Sequence, residues 1–326
     1  MMVKAIRVHQ TGGPEVLTYE DVSIAAPGPG EVHIRNEAIG LNFLDVYFRT
    51  GLYPAPKGLP FVPGNEGAGV VLSVGPDVQE FKQGDRVAYA DPMGSYAQER
   101  LIPAARLVKL PDVIGFEQAA SMMLKGMTAQ YLLRQTFPVK KGNTILFHAA
   151  AGGVGLIAGQ WAKHLGATVI GTAGSDEKVQ LALEHGYDHV INYRSENFVE
   201  RVKDLTGGKG VDVVYDSVGK DTFDGSLDCL RPLGMLVCFG QSSGPVPPFD
   251  LGILARKGSL FLSRPTLVTY VAAREALVKA SSELFDLVAK GVIRIEVGQS
   301  FPLKDAATAH RELESRKTTG TTVLIP

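Results

Sequence analysis

The chain has 326 residues, too many for one ordinary hydrophobic core, so two domains are expected. With 45% hydrophobic and 21% charged residues it is globular, and a formal net charge of -1 argues against RNA or a membrane surface as a partner. There is no apolar run of membrane-spanning length and no signal-peptide pattern, and the two cysteines, Cys229 and Cys238, exclude a disulfide framework or a cysteine-rich metal site; a cytoplasmic protein is expected.

The first part of the chain reads as β-rich. Residues 3–8 and 31–38 alternate apolar and polar side chains, with turns at Thr11-Gly12-Gly13-Pro14 and Pro27-Gly28-Pro29-Gly30. Residues 67–74 and 86–90 add strands that Gly64, Gly67, Gly69 and Gly75 let bend, giving a compact, partly closed β domain. Within it, Asn42 is placed as the N-cap of a short helix that Gly51 and Pro54 stop. Asn42, Asp45 and Arg49 share one face of that helix, and two readings stand: a cap with a solvated face, or a cleft wall formed by Asn42, Tyr47 and Tyr53.

From about residue 125 strands and helices alternate. Asn143-Thr144-Ile145-Leu146-Phe147 is a strand, His148-Ala149-Ala150-Ala151-Gly152-Gly153 a small-residue turn, and Val154, Ile157, Ala158, Trp161, Ala162 and Leu165 recur as one helical face. Strand, glycine turn and helix open a dinucleotide-binding unit, where helix N–H groups meet a pyrophosphate; Ala150 takes the first glycine place, before Gly152 and Gly155. Strands follow at 168–172, 189–192, 212–215, 235–239 and 260–263, with helices near 175–185, 198–205 and 222–230. This alternation predicts a doubly wound parallel sheet with ligands beyond its carboxyl ends, at Ser217-Val218-Gly219, Gly240-Gln241-Ser242-Ser243-Gly244 and Ser263-Arg264-Pro265. A tail of helices 281–289 and 305–315 and strand 322–325 is expected to return to the first domain. The domains are therefore set at 1–124, 125–266 and the returning segment 267–326.

NAD sites place a carboxylate at the end of the second strand; here that place reads Gly171-Thr172-Ala173-Gly174, without an acid. Ser175, Lys178 and Arg194 follow instead, donors and cations suited to a 2′-phosphate, so NADPH is expected over NADH. Asp176 and Glu177 fit as first-turn residues facing solvent, and His148 as a satisfied strand-end histidine. His164, His185, His189 and His310 have no ligand spacing.

A β domain followed by a dinucleotide fold resembles the medium-chain dehydrogenase/reductase superfamily. Its zinc enzymes use Cys, His and Cys ligands; Asn42, Asn65 of Gly64-Asn65-Glu66, and a position near Leu124 stand there instead, and no cysteine lies between Asp91 and Pro111, so no metal is expected. A closer resemblance is to the zinc-free quinone oxidoreductases, the group of ζ-crystallin and of bacterial NADPH:quinone reductases. It rests on Gly12-Gly13-Pro14-Glu15-Val16-Leu17, Asn42-Phe43-Leu44-Asp45, Gly51-Leu52-Tyr53-Pro54, the 149–155 turn, Val214-Tyr215-Asp216-Ser217-Val218-Gly219, Phe239-Gly240-Gln241-Ser242-Ser243-Gly244 and Ser263-Arg264-Pro265.

That resemblance implies a GroES-like, mostly β catalytic domain and a Rossmann cofactor domain, NADPH as hydride donor, a small benzo- or naphthoquinone in the cleft between domains, and a homodimer through the cofactor domains. Carried over by position, Gly152, Gly153 and Val154 lie on the pyrophosphate, while Gly174, Ser175, Lys178 and Tyr193 surround the ribose phosphate. Ser217, Gly240, Gln241, Ser242, Ser243, Arg264, Pro265, Leu267 and Arg316 line the rest of the cofactor path. Asn42, Tyr47, Tyr53 and Tyr131 surround the nicotinamide and the acceptor, with Tyr53 or Asn42 expected to hydrogen-bond the quinone oxygen or to shape the pocket. Relatives commonly carry Asn where Gln241 stands, which puts that side-chain contact in question. Two other readings remain: an NADPH-dependent reductase of α,β-unsaturated carbonyls, and an RNA-binding or structural crystallin-like role.

Overall fold

The computed structural model describes residues 1–315 and 318–326. The chain divides into two compact units, Met1–Lys125 with Val271–Ala289 and Ile295–Pro326, and Gly126–Tyr270 with Lys290–Arg294.

In the first unit, strand Glu31–Leu41 is the organising element. Its eleven residues are long enough to pair antiparallel with Glu66–Val74 on one side and with both Glu99–Pro103 and Thr321–Ile325 on the other. Register shifts at His33/Ile34 and Asn36/Ala38 add twist and let the sheet curl. Arg86–Ala90 and Val108–Lys109 extend the sheet at one edge, and Val297–Pro302 pairs parallel to Thr321–Ile325 at the other. Met2–Val8 and Leu17–Ser23 form a separate antiparallel pair. One core cluster joins Ile6, Val8, Ile39, Leu41 and Tyr96 to Leu303, Ala306 and Ala309, so the end of the chain completes the core begun by its start.

Local chemistry fixes helix Phe43–Thr50. Asn42 is extended, its backbone N–H donates to Asp45 Oδ2 at 2.9 Å, and Gly51 ends the helix at φ 82, a left-handed conformation that favours glycine.

The second unit holds six parallel strands in the spatial order His189–Asn192, Thr168–Ala173, Thr144–Phe147, Val211–Asp216, Leu230–Cys238, Phe261–Ser263. The doubly wound expectation holds, and the direction of winding reverses between Thr144–Phe147 and Val211–Asp216, where such sheets open a ligand crevice. Leu146, Ile170, Val214 and Leu236 pack with Phe223 and Leu227 on one side of the sheet, which is why these strands read as nearly continuous apolar runs.

Several boundaries differ from the sequence expectation. The strand placed at 235–239 begins at Leu230, because Pro232 and Gly234 disguise its first half. The helix placed at 281–289 begins at Arg274. Helix Phe116–Tyr131, strands Leu17–Ser23 and Val297–Pro302, and the π-turn Leu132–Thr136 had no counterpart in the periodicity.

Candidate active site

The second unit's crevice is lined by loops that follow the strand ends. After Phe147 the chain turns through Ala149, at φ 56, and enters helix Gly153–His164 with Gly152 as N-cap. No side chain caps this helix, so its first N–H groups are available to an anion. Gly155 shows why the turn needs glycine: a Cβ there would lie 2.4 Å from the Ala149 carbonyl oxygen and 2.5 Å from that of Ala150. Helix and turn are pressed together, as close approach of a pyrophosphate requires. Gly152, Gly153 and Val154 are half-buried around this turn.

His148 beneath it is buried, with Nδ1 at 2.9 Å from Thr172 Oγ1 and Nε2 at 3.0 Å from Ser226 Oγ. Burial pulls its pKa down, against the nearby Asp216 carboxylate. Both ring nitrogens are committed to hydroxyls, so His148 is a packing histidine.

Beyond the second strand, Ser175 caps helix Asp176–Leu183 by accepting the Lys178 N–H at 3.4 Å. Asp176 accepts from Asn192 Nδ2 at 2.8 Å, and Glu177 is exposed, its carboxyl held below the usual range by the Ser175 hydroxyl. Gly174 lies under Tyr193: a Cβ there would meet the phenol oxygen at 2.4 Å. Gly174, Ser175, the Lys178 N–H and Tyr193 thus meet at the strand end, which itself carries no carboxylate; the nearest acids, Asp176 and Glu177, lie in the first turn of the following helix.

Asp216 organises the next loop. Fully buried, it accepts the Val218 and Gly219 N–H groups at 2.7 and 3.1 Å and the Thr222 hydroxyl at 2.7 Å, which shapes the Ser217 turn. Ser242 donates its N–H to the Ser217 carbonyl at 3.1 Å, Ser243 binds the Val218 carbonyl, and a Cβ on Gly240 would sit 2.7 Å from Ser217 O. Gln241 lies half-buried between them. Arg264 Nη1 donates to Cys238 O at 2.8 Å, and Pro265 and Leu267 lead into helix Leu267–Tyr270. Tyr131 stacks on Tyr270 with ring centroids 4.5 Å apart and an interplanar angle of 15°. The Tyr270 hydroxyl accepts from Thr136 at 2.8 Å, in the π-turn that follows Tyr131. Arg316 lies outside the described residues.

In the first unit, Tyr47 and Tyr53 meet edge to face at 5.3 Å, and the Tyr53 N–H donates to Tyr47 O at 3.0 Å. Asn42 is buried, with Nδ2 donating to Glu66 Oε2 at 2.8 Å. Lys125 Nζ donates to the same oxygen at 2.8 Å, and the Leu124 N–H to Oε1 at 2.8 Å.

The face shared by Asn42, Asp45 and Arg49 is no solvated face: Asp45 is 0% and Arg49 1% exposed. Arg49 makes two bonds to Glu314, at 2.8 and 2.9 Å, and reaches His310 Nδ1 at 3.0 Å. Arginine only donates, so Nδ1 accepts and the ring proton sits on Nε2, which donates to the Tyr96 hydroxyl oxygen at 3.0 Å. The Tyr96 hydroxyl in turn donates to Asp45 Oδ2 at 3.0 Å, and Asn65 Nδ2 donates to Oδ1 at 3.1 Å. Burial, reinforced by the Arg49 charge, brings the His310 pKa to about 3. Burial raises Asp45 to about 6 despite its three donors. The spacing of Asp45, Arg49 and His310 gave no sign of this network, since its members lie up to 265 residues apart.

A parallel sheet of this order, with an uncapped glycine turn at its crevice and a β unit built around Glu31–Leu41, defines a dinucleotide-dependent enzyme of the medium-chain dehydrogenase/reductase superfamily. A family model described as "Alcohol dehydrogenase GroES-like domain" matches residues 28–112, and one described as "Zinc-binding dehydrogenase" matches residues 153–282. The chain is 57% identical over 326 residues to a quinone oxidoreductase of Pseudomonas aeruginosa, covering 100% of both chains. It superposes on Escherichia coli quinone oxidoreductase complexed with NADPH at a TM-score of 0.97 and 53% identity, covering 99% of this chain and 100% of that one. It is 49% identical over 334 residues to a Burkholderia 2-haloacrylate reductase, covering 100% of this chain and 99% of that protein. The chain belongs to the quinone oxidoreductase family of this superfamily.

The residues do not fit the zinc that one family description implies. Asn42 and Asn65 turn amide nitrogens toward carboxylates, Leu124 offers a hydrocarbon, and the Lys125 ammonium occupies the neighbourhood of Glu66, where a second cation would be repelled. Among the described residues, no three His, Cys, Asp or Glu side chains are grouped to hold a metal ion, and no helix is long and apolar enough to cross a membrane.

Proposed function

We propose that this chain reduces small benzo- and naphthoquinones with NADPH. The observation that carries the reading is full-length identity of 57% to a quinone oxidoreductase, joined to an uncapped glycine turn at the sheet's switch point. NADPH supplies the hydride; the residues bind, orient and exclude water. Gly152, Gly153 and Val154 receive the pyrophosphate through backbone N–H groups, and Ser175, Lys178 and Tyr193 beside Gly174 receive the 2′-phosphate, which a carboxylate at that strand end would repel. Ser217, Gly240, Gln241, Ser242, Ser243, Arg264, Pro265 and Leu267 follow the dinucleotide along the loops at the strand ends. Tyr131 packs on the nicotinamide side, its ring held by Tyr270, and Asn42, Tyr47 and Tyr53 serve the nicotinamide and the acceptor. A quinone is already electrophilic, so orientation and one hydrogen bond to its oxygen are the protein's main tasks.

The 49% identity to a 2-haloacrylate reductase favours a second reading, reduction of activated alkenes on the same site. NADPH oxidation measured with a 1,4-naphthoquinone and with a 2-alkenal at equal concentration tests both: faster turnover of the quinone supports the proposal, and turnover of the alkenal alone refutes it.

The working form is proposed as a cytoplasmic homodimer joined through cofactor domains. Phe261–Ser263 is one of the two edges of the parallel sheet, with Phe261 55% exposed, apolar surface that pairing with a second copy would cover. Both cysteines are buried free thiols, as suits a reducing compartment.

A further inference from the structure

We propose that His148 is a positioning residue: through the side-chain series Thr172–His148–Ser226–Asp216 it ties the glycine turn and the strand end before Gly174 to the Ser217 loop, so that both halves of the dinucleotide are gripped together. This rests on the reading above that NADPH lies along these loops, all of them within the second unit. Asp216 sets the order of the protons. As a carboxylate it only accepts, taking the Val218 and Gly219 N–H groups on Oδ1 and the Thr222 hydroxyl on Oδ2. Ser226 Oγ gives its one proton to the same Oδ2 at 3.3 Å, so toward His148 it accepts. Nε2 therefore carries the ring proton and donates to Ser226 at 3.0 Å, while Nδ1 accepts from the Thr172 hydroxyl at 2.9 Å. Burial outweighs the pull of Asp216 and keeps the ring neutral. Turning the imidazole over would set carbon atoms where both hydroxyls need nitrogen. None of the four side chains is more than 2% exposed, so water does not compete for these bonds. The backbone joins the same three strand ends: the His148 N–H donates to Tyr215 O at 3.0 Å, and the Ala150 N–H to Thr172 O at 2.9 Å. His148 touches neither loop's ligand itself. It passes the hold of Asp216 on the Ser217 loop to Thr172, two residues before Gly174.

Calorimetric titration of the full chain with NADPH and with adenosine 2′,5′-bisphosphate, which carries the 2′-phosphate but no nicotinamide half, tests this. Ser226→Ala acts on the Asp216 side, yet it is expected to weaken the bisphosphate about fivefold as well as NADPH about tenfold; in the His148→Leu background the same substitution is expected to change either affinity less than about twofold. Thr172→Val, which keeps the shape and removes the far hydroxyl, replaces His148→Leu if the latter does not fold. ¹⁵N NMR of the unliganded chain is expected to show His148 protonated on Nε2. A ring protonated on Nδ1, a bisphosphate affinity that Ser226→Ala leaves unchanged, or equal losses with and without His148 would each overturn the proposal while leaving the cofactor reading intact. Failure of the unsubstituted protein to bind either nucleotide would overturn both.

Discussion

The chain His310–Tyr96–Asp45 makes an unusual forecast for acid stability. His310 is neutral in the fold, with a pKa of about 3 against 6.5 when exposed, so acid favours the unfolded chain: its contribution is complete above pH 6.5 and is lost as pH falls. At about pH 5 the loss is the distance from 6.5 times 1.36 kcal/mol, about 2 kcal/mol. Asp45 has the opposite sign, because its folded pKa of about 6 lies above the unfolded 3.8. Its contribution is present at low pH and lost as pH rises through about 6, so moving from about pH 7 to about pH 5 gains about 1 kcal/mol. The two groups therefore largely offset each other in the intact protein, leaving a change of about 1 kcal/mol over this range. His310→Gln keeps an acceptor for Arg49 and a donor for Tyr96 but cannot titrate, so it removes only the acid loss. Urea unfolding followed by circular dichroism at both pH values is expected to show a pH difference shifted by about 2 kcal/mol in favour of acid relative to the parent. An unchanged difference would mean that His310 is not held neutral, and the donor order assigned from Arg49 to Asp45 would fall with it.

Other perturbations separate packing from chemistry. Arg49→Leu leaves Glu314, His310 and Gly12 O without their donor in a buried site and is expected to cost about 3 kcal/mol, measured by the urea midpoint. Gly155→Ala presses a methyl group onto two backbone oxygens and is expected to cost at least about 2 kcal/mol and abolish NADPH binding. Gly174→Ala meets only the end of the half-exposed Tyr193 side chain and should fold normally, which thermal melts of both variants will show. Tyr53→Phe is expected to slow quinone turnover about tenfold at unchanged NADPH affinity; unchanged turnover would remove a polarising role for that hydroxyl. Phe261→Glu is expected to convert a dimer to monomers in sedimentation velocity.

Features carried by neighbouring residues were legible in the sequence. The turn from Phe147 to Gly155 shows itself because strand character, small residues and helical spacing follow one another without interruption. Helix Phe43–Thr50 does so because both caps are local. Helix Phe116–Tyr131 escaped notice because Ala119, Ala120, Met122, Met123 and Met127 are buried around much of its circumference, leaving no polar stripe to mark a period. Strand Val297–Pro302 has the opposite problem, being largely exposed along an edge. The Glu66–Lys125 pair spans 59 residues, and its only local sign is one lysine within Met122-Met123-Leu124-Lys125-Gly126-Met127. At Asn42 and Asn65 the sequence announced which metal ligands were replaced, but only the fold shows that these amides serve buried carboxylates.

NADPH differs from NADH only in its 2′-phosphate, so discrimination between the two nucleotides reads the strand end at Gly174 directly. Trp161 lies buried in the helix that begins at the glycine turn, and its fluorescence should be titrated with NADPH, then NADH, in the parent and in Lys178→Ala. NADPH is expected to bind at least about tenfold more tightly, a difference of about 1.4 kcal/mol that shrinks in the variant. Equal affinities for the two nucleotides in the parent would contradict the assignment of Ser175, Lys178 and Tyr193 to the 2′-phosphate, and with it the account of this site.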